Sequence, residues 1–134
     1  MAVLPTCLAL VLCDRVGRTA GGGKASPVGV FQSFDLQKPS GSTTPFSVWV
    51  QATNAVGQVL MQLVFERALS KVPEFEEVVS VRFTVFFENS TTIVEHEAHF
   101  ANGIVLPAEG NYRVRLECAG CTILSRYFLV RRKT

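Results

Sequence analysis

Between Val78 and Phe87 every second residue is bulky and apolar: Val79, Val81, Phe83, Val85 and Phe87 alternate with Ser80, Arg82, Thr84 and Phe86. Successive residues of a strand point to opposite sides, so apolar groups at a spacing of two line one face of an extended segment. No segment carries a comparable signal at the helical period, and the alternation therefore sets the class as all-β. It recurs along the chain. Val30, Gln32 and Phe34 alternate with Phe31, Ser33 and Asp35 within Val28 to Leu36. Phe46, Val48 and Val50 alternate with Ser47, Trp49 and Gln51, and Val59, Met61, Leu63 and Phe65 share a face within Gln58 to Arg67. Tyr112, Val114 and Leu116 read as inward, with Arg113, Arg115 and Glu117 outward.

Three stretches read less cleanly. Thr91 to Phe100 is less apolar, as expected of an edge strand. In Thr122 to Val130, Leu124, Phe128 and Val130 compete with Ile123, Tyr127 and Leu129, so the buried side stays open. Ala68 to Glu77 has room for a single helical turn, limited by Pro73. The connectors are Gly17 to Ser26, Lys38 to Thr44 and Thr53 to Gly57, rich in Gly, Pro, Ser and Thr. About seven or eight strands at such uneven intervals predict an immunoglobulin-like antiparallel β-sandwich.

The amino-terminal run Val3 to Cys13 decides the compartment. A secretory signal opens with positive charge, whereas no Lys or Arg precedes this run and the first basic residue is Arg15. A lipoprotein signal needs a small residue before its cysteine, and Leu12 precedes Cys13. The run is also far short of the ~20 residues of a membrane span. With period two, Leu8, Leu10 and Leu12 oppose Ala9, Val11 and Cys13, which predicts a retained strand buried on both sides. The chain is then expected to be cytoplasmic with reduced thiols.

At 134 residues the chain is expected to be one domain. A domain of that size buries roughly two-thirds of its unfolded surface and needs neither metal nor disulfide. A net charge of +2 is too small to argue for nucleic acid. Arg131-Arg132-Lys133 supplies that excess and reads as a solvated tail.

Candidate chemistry is sparse. Gly21 to Lys24 (GGGK) departs from a phosphate loop, because Arg18 stands at the first glycine position and Ala25 replaces the hydroxyl residue. Cys118-Ala119-Gly120-Cys121 is a CxxC, but it lies between two strands, where Gly120 suits a bulged hairpin turn. His96 and His99, three apart in a strand, point to opposite faces and make a poor metal pair. Asp14 and Arg15 follow the first strand directly; they can pair with each other, cap the loop or face a partner.

Taken in order, Leu10-Val11-Leu12-Cys13-Asp14-Arg15-Val16, Gly23-Lys24 and Val28-Gly29-Val30-Phe31 resemble the start of a widespread bacterial family of small all-β proteins with no assigned activity. That family reads "LLCD-x-V", a loop ending in Gly-Lys, then an apolar strand of the "LIGIF" kind. Pro45 to Val50 is similar to its third strand, and Leu106 to Tyr112 to its "FP-x-x-G-x-Y" step into the last hairpin. The resemblance runs from about Cys7 to Val130. It implies a retained first strand, and it implies a turn at CAGC, where the family carries an Asp-Gly type.

The expectation is a non-catalytic protein-binding or assembly module, self-associating or not, with no cofactor and no membrane contact. Its partner surface is expected at Asp14, Arg15, Trp49, Arg113 and Arg115. A small metal-dependent or carboxylate hydrolase built on His96, His99 and Glu95 or Glu97 is the first rival. A sugar- or nucleic-acid-binding sandwich using aromatics beside Arg113, Arg115 and Arg126 is the second.

Overall fold

The alternation becomes nine strands among the residues that the computed structural model describes, 4–18, 25–36, 41–69 and 74–132. They are β1 (Thr6–Arg18), β2 (Ala25–Val30), β3 (Ser33–Leu36), β4 (Phe46–Thr53), β5 (Gly57–Ala68), β6 (Phe75–Phe87), β7 (Val94–Phe100), β8 (Gly110–Cys118) and β9 (Cys121–Arg132). The first sheet has the order β2-β1-β4-β7 and the second β3-β9-β8-β5-β6. The inward positions named above meet in one core that draws on both sheets, and it is strongly aromatic. Phe46 stacks on Phe100 at 4.7 Å and presents edges to Phe34 and Phe65, while Phe128 stacks on Tyr112. Such pairs add about 0.5–1.5 kcal/mol each beyond their buried area.

Four expectations need correcting. Val28 to Leu36 is two strands rather than one: the chain leaves the first sheet at Phe31 and joins the second as β3, which raises the count from eight to nine. The fold is not purely antiparallel, because β3 pairs parallel with β9, Phe34 opposite Val130. The first strand is not buried on both sides throughout, since a bulge between Cys7 and Ala9 turns Leu8 out to 48% exposure. Finally, Arg131 and Arg132 are exposed, as expected, but do not form a free tail; they belong to β9 opposite Asp35 and Leu36.

Connectors are shorter than expected, as β1 runs on through Gly17 and Arg18 and β2 begins at Ala25. The GGGK segment, Val3, Lys38 to Ser40, Ser70 to Pro73 and Lys133 lie outside the described residues. Two ends of strands are fixed by recognisable devices. Ala119 and Gly120 both take positive φ, 52° and 79°, the conformation of a two-residue hairpin turn whose twist matches its strands. Tyr112, fully buried at the start of β8, donates its hydroxyl to the Ala108 carbonyl at 2.6 Å and so pins the β7–β8 connection. The ambiguity of the last strand is resolved: Phe128 and Val130 are buried, whereas Tyr127 and Leu129 face solvent. No helix is long and apolar enough to cross a membrane among the described residues.

Candidate functional site

The sheets close differently along their two long sides. On one side β6 and β7, the last strands of their sheets, meet through His96 of β7, whose ring stacks on Phe83 at 4.1 Å. Burial holds the His96 pKa below its ordinary value, and the Glu97 carboxylate opposes this only in part. On the other side β2 pairs with β1 only over Cys13–Arg18, and β3 pairs with β9 only over Leu129–Arg132. The amino-terminal half of β1 and the first half of β9 therefore keep one unpaired edge each. This follows from the crossing at Phe31 and Gln32. There the Phe31 N–H donates to the Leu12 carbonyl and the Leu129 N–H to the Gln32 carbonyl, ending both pairings.

Between these two edges lies a groove of about 380 Å³, within the range of ligand sites. Leu10, Leu12, Phe31, Gln32, Arg126 and Tyr127 contribute to its walls, and no carboxylate lines it among the described residues. Arg126, on β9, crosses the gap and donates from Nε to the Leu10 carbonyl at 3.0 Å. A carbonyl at an unpaired strand edge otherwise has only water for a partner, so this contact caps part of the edge. Among the described residues no Asp or Glu forms an ion pair with Arg126.

The expected partner residues do not form one surface. Trp49 is half-buried on the outer face of the first sheet, opposite Val11 and Glu97, and its buried Nε1 lacks a hydrogen-bond partner. By the alternation of β1, Arg15 shares that face. Asp14 instead packs over Gly29, whose φ of +71° and missing Cβ make room for it; a Cβ there would lie 2.1 Å from Asp14 Oδ2. Asp14 and Arg15 form no ion pair with each other. Arg113 and Arg115 sit on the outer face of the second sheet, across the molecule from Trp49. Both bond Glu66, which is only 7% exposed, at 2.7 and 3.0 Å. Arg115 also pairs with Glu117, and the Arg113 guanidinium lies over the Phe75 ring. Burial alone would lower the Arg115 pKa, but its bonds to Glu117 and Glu66 outweigh that and raise it.

The histidines do point to opposite faces. His96 is inward on Phe83, while His99 Nδ1 lies 2.8 Å from Ser47 Oγ on the outer face. Ser47 Oγ also donates to Glu97 Oε2 at 2.6 Å, a cluster that sequence alone did not reveal. It is not a nucleophile's arrangement. A catalytic triad puts histidine between serine and acid, whereas here serine is the middle member and is 0% exposed. The only cue was register: Ser47 opposes His99 once β4 and β7 are known neighbours. Cys118 and Cys121 face each other across the Ala119-Gly120 turn, with burial first and Cys121 second raising the Cys118 pKa. Among the described residues no three His, Cys, Asp or Glu side chains come together as a metal-binding group.

A second hollow, about 660 Å³, opens at the end of the sandwich beside the β8–β9 turn, with Leu4, Val56 and Leu60 in its walls. It is largely apolar, and among the described residues none that lines it is charged.

No protein-family model matches this chain, and no curated protein matches it. Among solved structures it is similar to a selenomethionine-labelled β-glucosidase from Kluyveromyces marxianus, with a TM-score of 0.43 and 14% identity. That alignment covers 76% of this chain but 15% of the enzyme, and a likeness of that strength transfers neither fold nor activity.

Proposed function

We propose that this chain is a non-catalytic, immunoglobulin-like domain that binds another protein by accepting an extended segment along the open side between β1 and β9. The immunoglobulin-like part of the reading is supported by three features. A strand that starts in one sheet and crosses to pair parallel with the last strand is the first. The order of β9, β8, β5 and β6 in the second sheet is the next. The third is the Tyr112 hydroxyl bonded four residues upstream, which has the form of a tyrosine corner. One feature departs from that pattern, since β1 is inserted between β2 and β4.

The binding part rests on one observation: two unpaired strand edges flank a groove that has both apolar walls and a cation. An open edge offers a row of main-chain donors and acceptors that a further strand satisfies.

Amide hydrogen exchange tests this, using peptides selected from a phage-displayed library of random nonapeptides panned on the full chain. Bound peptide is expected to slow exchange of main-chain amides at Leu10 and Leu12 or at the first half of β9. Protection confined to β6, β7 or the outer faces would overturn the reading, as would a library that yields no binder. Protection of the same amides on raising the concentration of the chain alone, without peptide, would also overturn it, by making a second copy the occupant.

A further inference from the structure

We infer that the open groove selects for a carboxylate on the incoming segment, held by the terminal nitrogens of Arg126. This deepens the strand-addition reading and rests on it. The first ground is the charge balance of the groove. Among the described residues Arg126 is its one charged lining residue, no Asp or Glu lines it, and no carboxylate pairs with the guanidinium. The second is geometry. A guanidinium has five N–H donors in a rigid planar fork. Only Nε is engaged, on the Leu10 carbonyl at 3.0 Å, and that bond holds the plane across the gap between the sheets. The Nη1 and Nη2 side of the fork is left to meet a carboxylate with two parallel N–H donors. The third is the surroundings. Leu10, Leu12 and Phe31 flank the fork, and apolar walls strengthen a charge-assisted hydrogen bond relative to open water.

A strand added beside β1 sends alternate side chains into the groove. The carboxylate therefore belongs at an inward position, with a bulky apolar residue two places away to lie on Leu12 and Phe31. A carboxylate at the end of a chain offers the same chemistry as an Asp or Glu side chain.

The test uses the nonapeptides recovered by panning, resynthesised with free or amidated carboxyl termini, and affinity measured by calorimetry on the full chain. Recovered peptides are expected to share an acidic residue, or a required free terminus, two places from a large apolar residue. Replacing that Glu by Gln, or amidating the required terminus, is expected to weaken binding about tenfold, the usual range for a charge-assisted pair. Arg126→Gln is expected to cause the same loss and to erase the difference between the Glu and Gln peptides. Arg126→Lys, which keeps the charge without the fork, should recover only part of it, and Arg82→Gln on β6 should change nothing. The comparison of Glu and Gln peptides needs no protein variant, so a folding defect cannot mask it. Binders with no acidic preference, or binders indifferent to Arg126→Gln, would overturn this inference and leave strand addition standing. A library with no binder would overturn both.

Discussion

Arg113 and Arg115 on β8 and Arg126 on the neighbouring β9 carry the same charge into opposite surroundings. The first two converge on one nearly buried acid, Glu66, with Glu117 and the Phe75 ring completing their contacts. Arg126 has a main-chain carbonyl and no counter-ion among the described residues. Exposure does not separate them fully, for the Arg113 side chain keeps 25% of its surface. What separates them is satisfaction. An arginine whose charge and donors are already matched contributes to the sheet's own stability, and a partner that recruits it must first displace Glu66. An arginine fixed by one donor, with the rest of its fork unmatched, is available.

The largest effect that would break this comparison is expected from Glu66→Leu. It strands the partly buried Arg113 guanidinium and leaves Arg115 with Glu117 alone, and removing one partner of a buried ion pair costs about 3–5 kcal/mol. Here Arg113 and Arg115 keep 25% and 17% exposure and can turn toward water, so a loss nearer 2 kcal/mol is expected in urea unfolding, with the m-value unchanged. Adding Arg113→Met and Arg115→Met should recover most of that loss, because the only charge then left without its partner is Glu117, whose side chain keeps 23% exposure and can turn to water. If Glu66→Leu is silent, the cluster is not satisfied in the sense argued, and the distinction from Arg126 collapses.

The closed side sharpens the contrast through His96. Its pKa is lowered in the folded chain by burial against Phe83, with Glu97 opposing. The unfolded chain therefore binds a proton at His96 more readily than the folded one, and stability falls as pH drops below about 6.5, the unfolded value. Above that pH both states are neutral at this position and the contribution is flat. His96→Phe should flatten the acid side of the stability curve, measured by urea midpoints between about pH 5 and 7. An unchanged slope would mean that the β6–β7 closure does not exclude water as argued. The open side offers no equivalent, since its bridging side chain is an arginine rather than a histidine.

Much of this architecture was legible because alternation is local. The inward set Tyr112, Val114 and Leu116 and the outward set Arg113, Arg115 and Glu117 were readable from β8 alone, and so was the divergence of His96 from His99. The edge placement of β7 followed from its polarity. What was not readable depends on which strands become neighbours. Phe31 looks like any other strand residue, and only the crossing between sheets there leaves β1 and β9 half unpaired. The bulge between Leu116 and Glu117 brings Thr122 opposite Glu117 but Leu124 opposite Leu116. That shift blurs the pattern of β9 and hid the place of Arg126. The arginines that looked most available, on the cleanest outward face, turn out to be matched by Glu66, an acid 47 residues from Arg113 in sequence.

The smallest effect on stability is expected from Arg126→Gln, and its smallness is informative. The substitution removes one hydrogen bond to the carbonyl of Leu10, a residue that is itself buried. Net hydrogen-bond contributions lie near 1 kcal/mol, and because Leu10 is only 1% exposed its carbonyl does not simply regain water, so a change of about 1 kcal/mol, below that of Glu66→Leu, is expected in the same urea experiment. A loss of that size is compatible with recognition by the outer nitrogens of Arg126, because the bond to Leu10 uses only Nε. If Arg126→Gln instead destabilises as strongly as Glu66→Leu, Arg126 is a structural clasp joining β9 to β1. The open side would then be closed by that clasp, and the two arginine environments would differ only in whether a carboxylate or a carbonyl completes them.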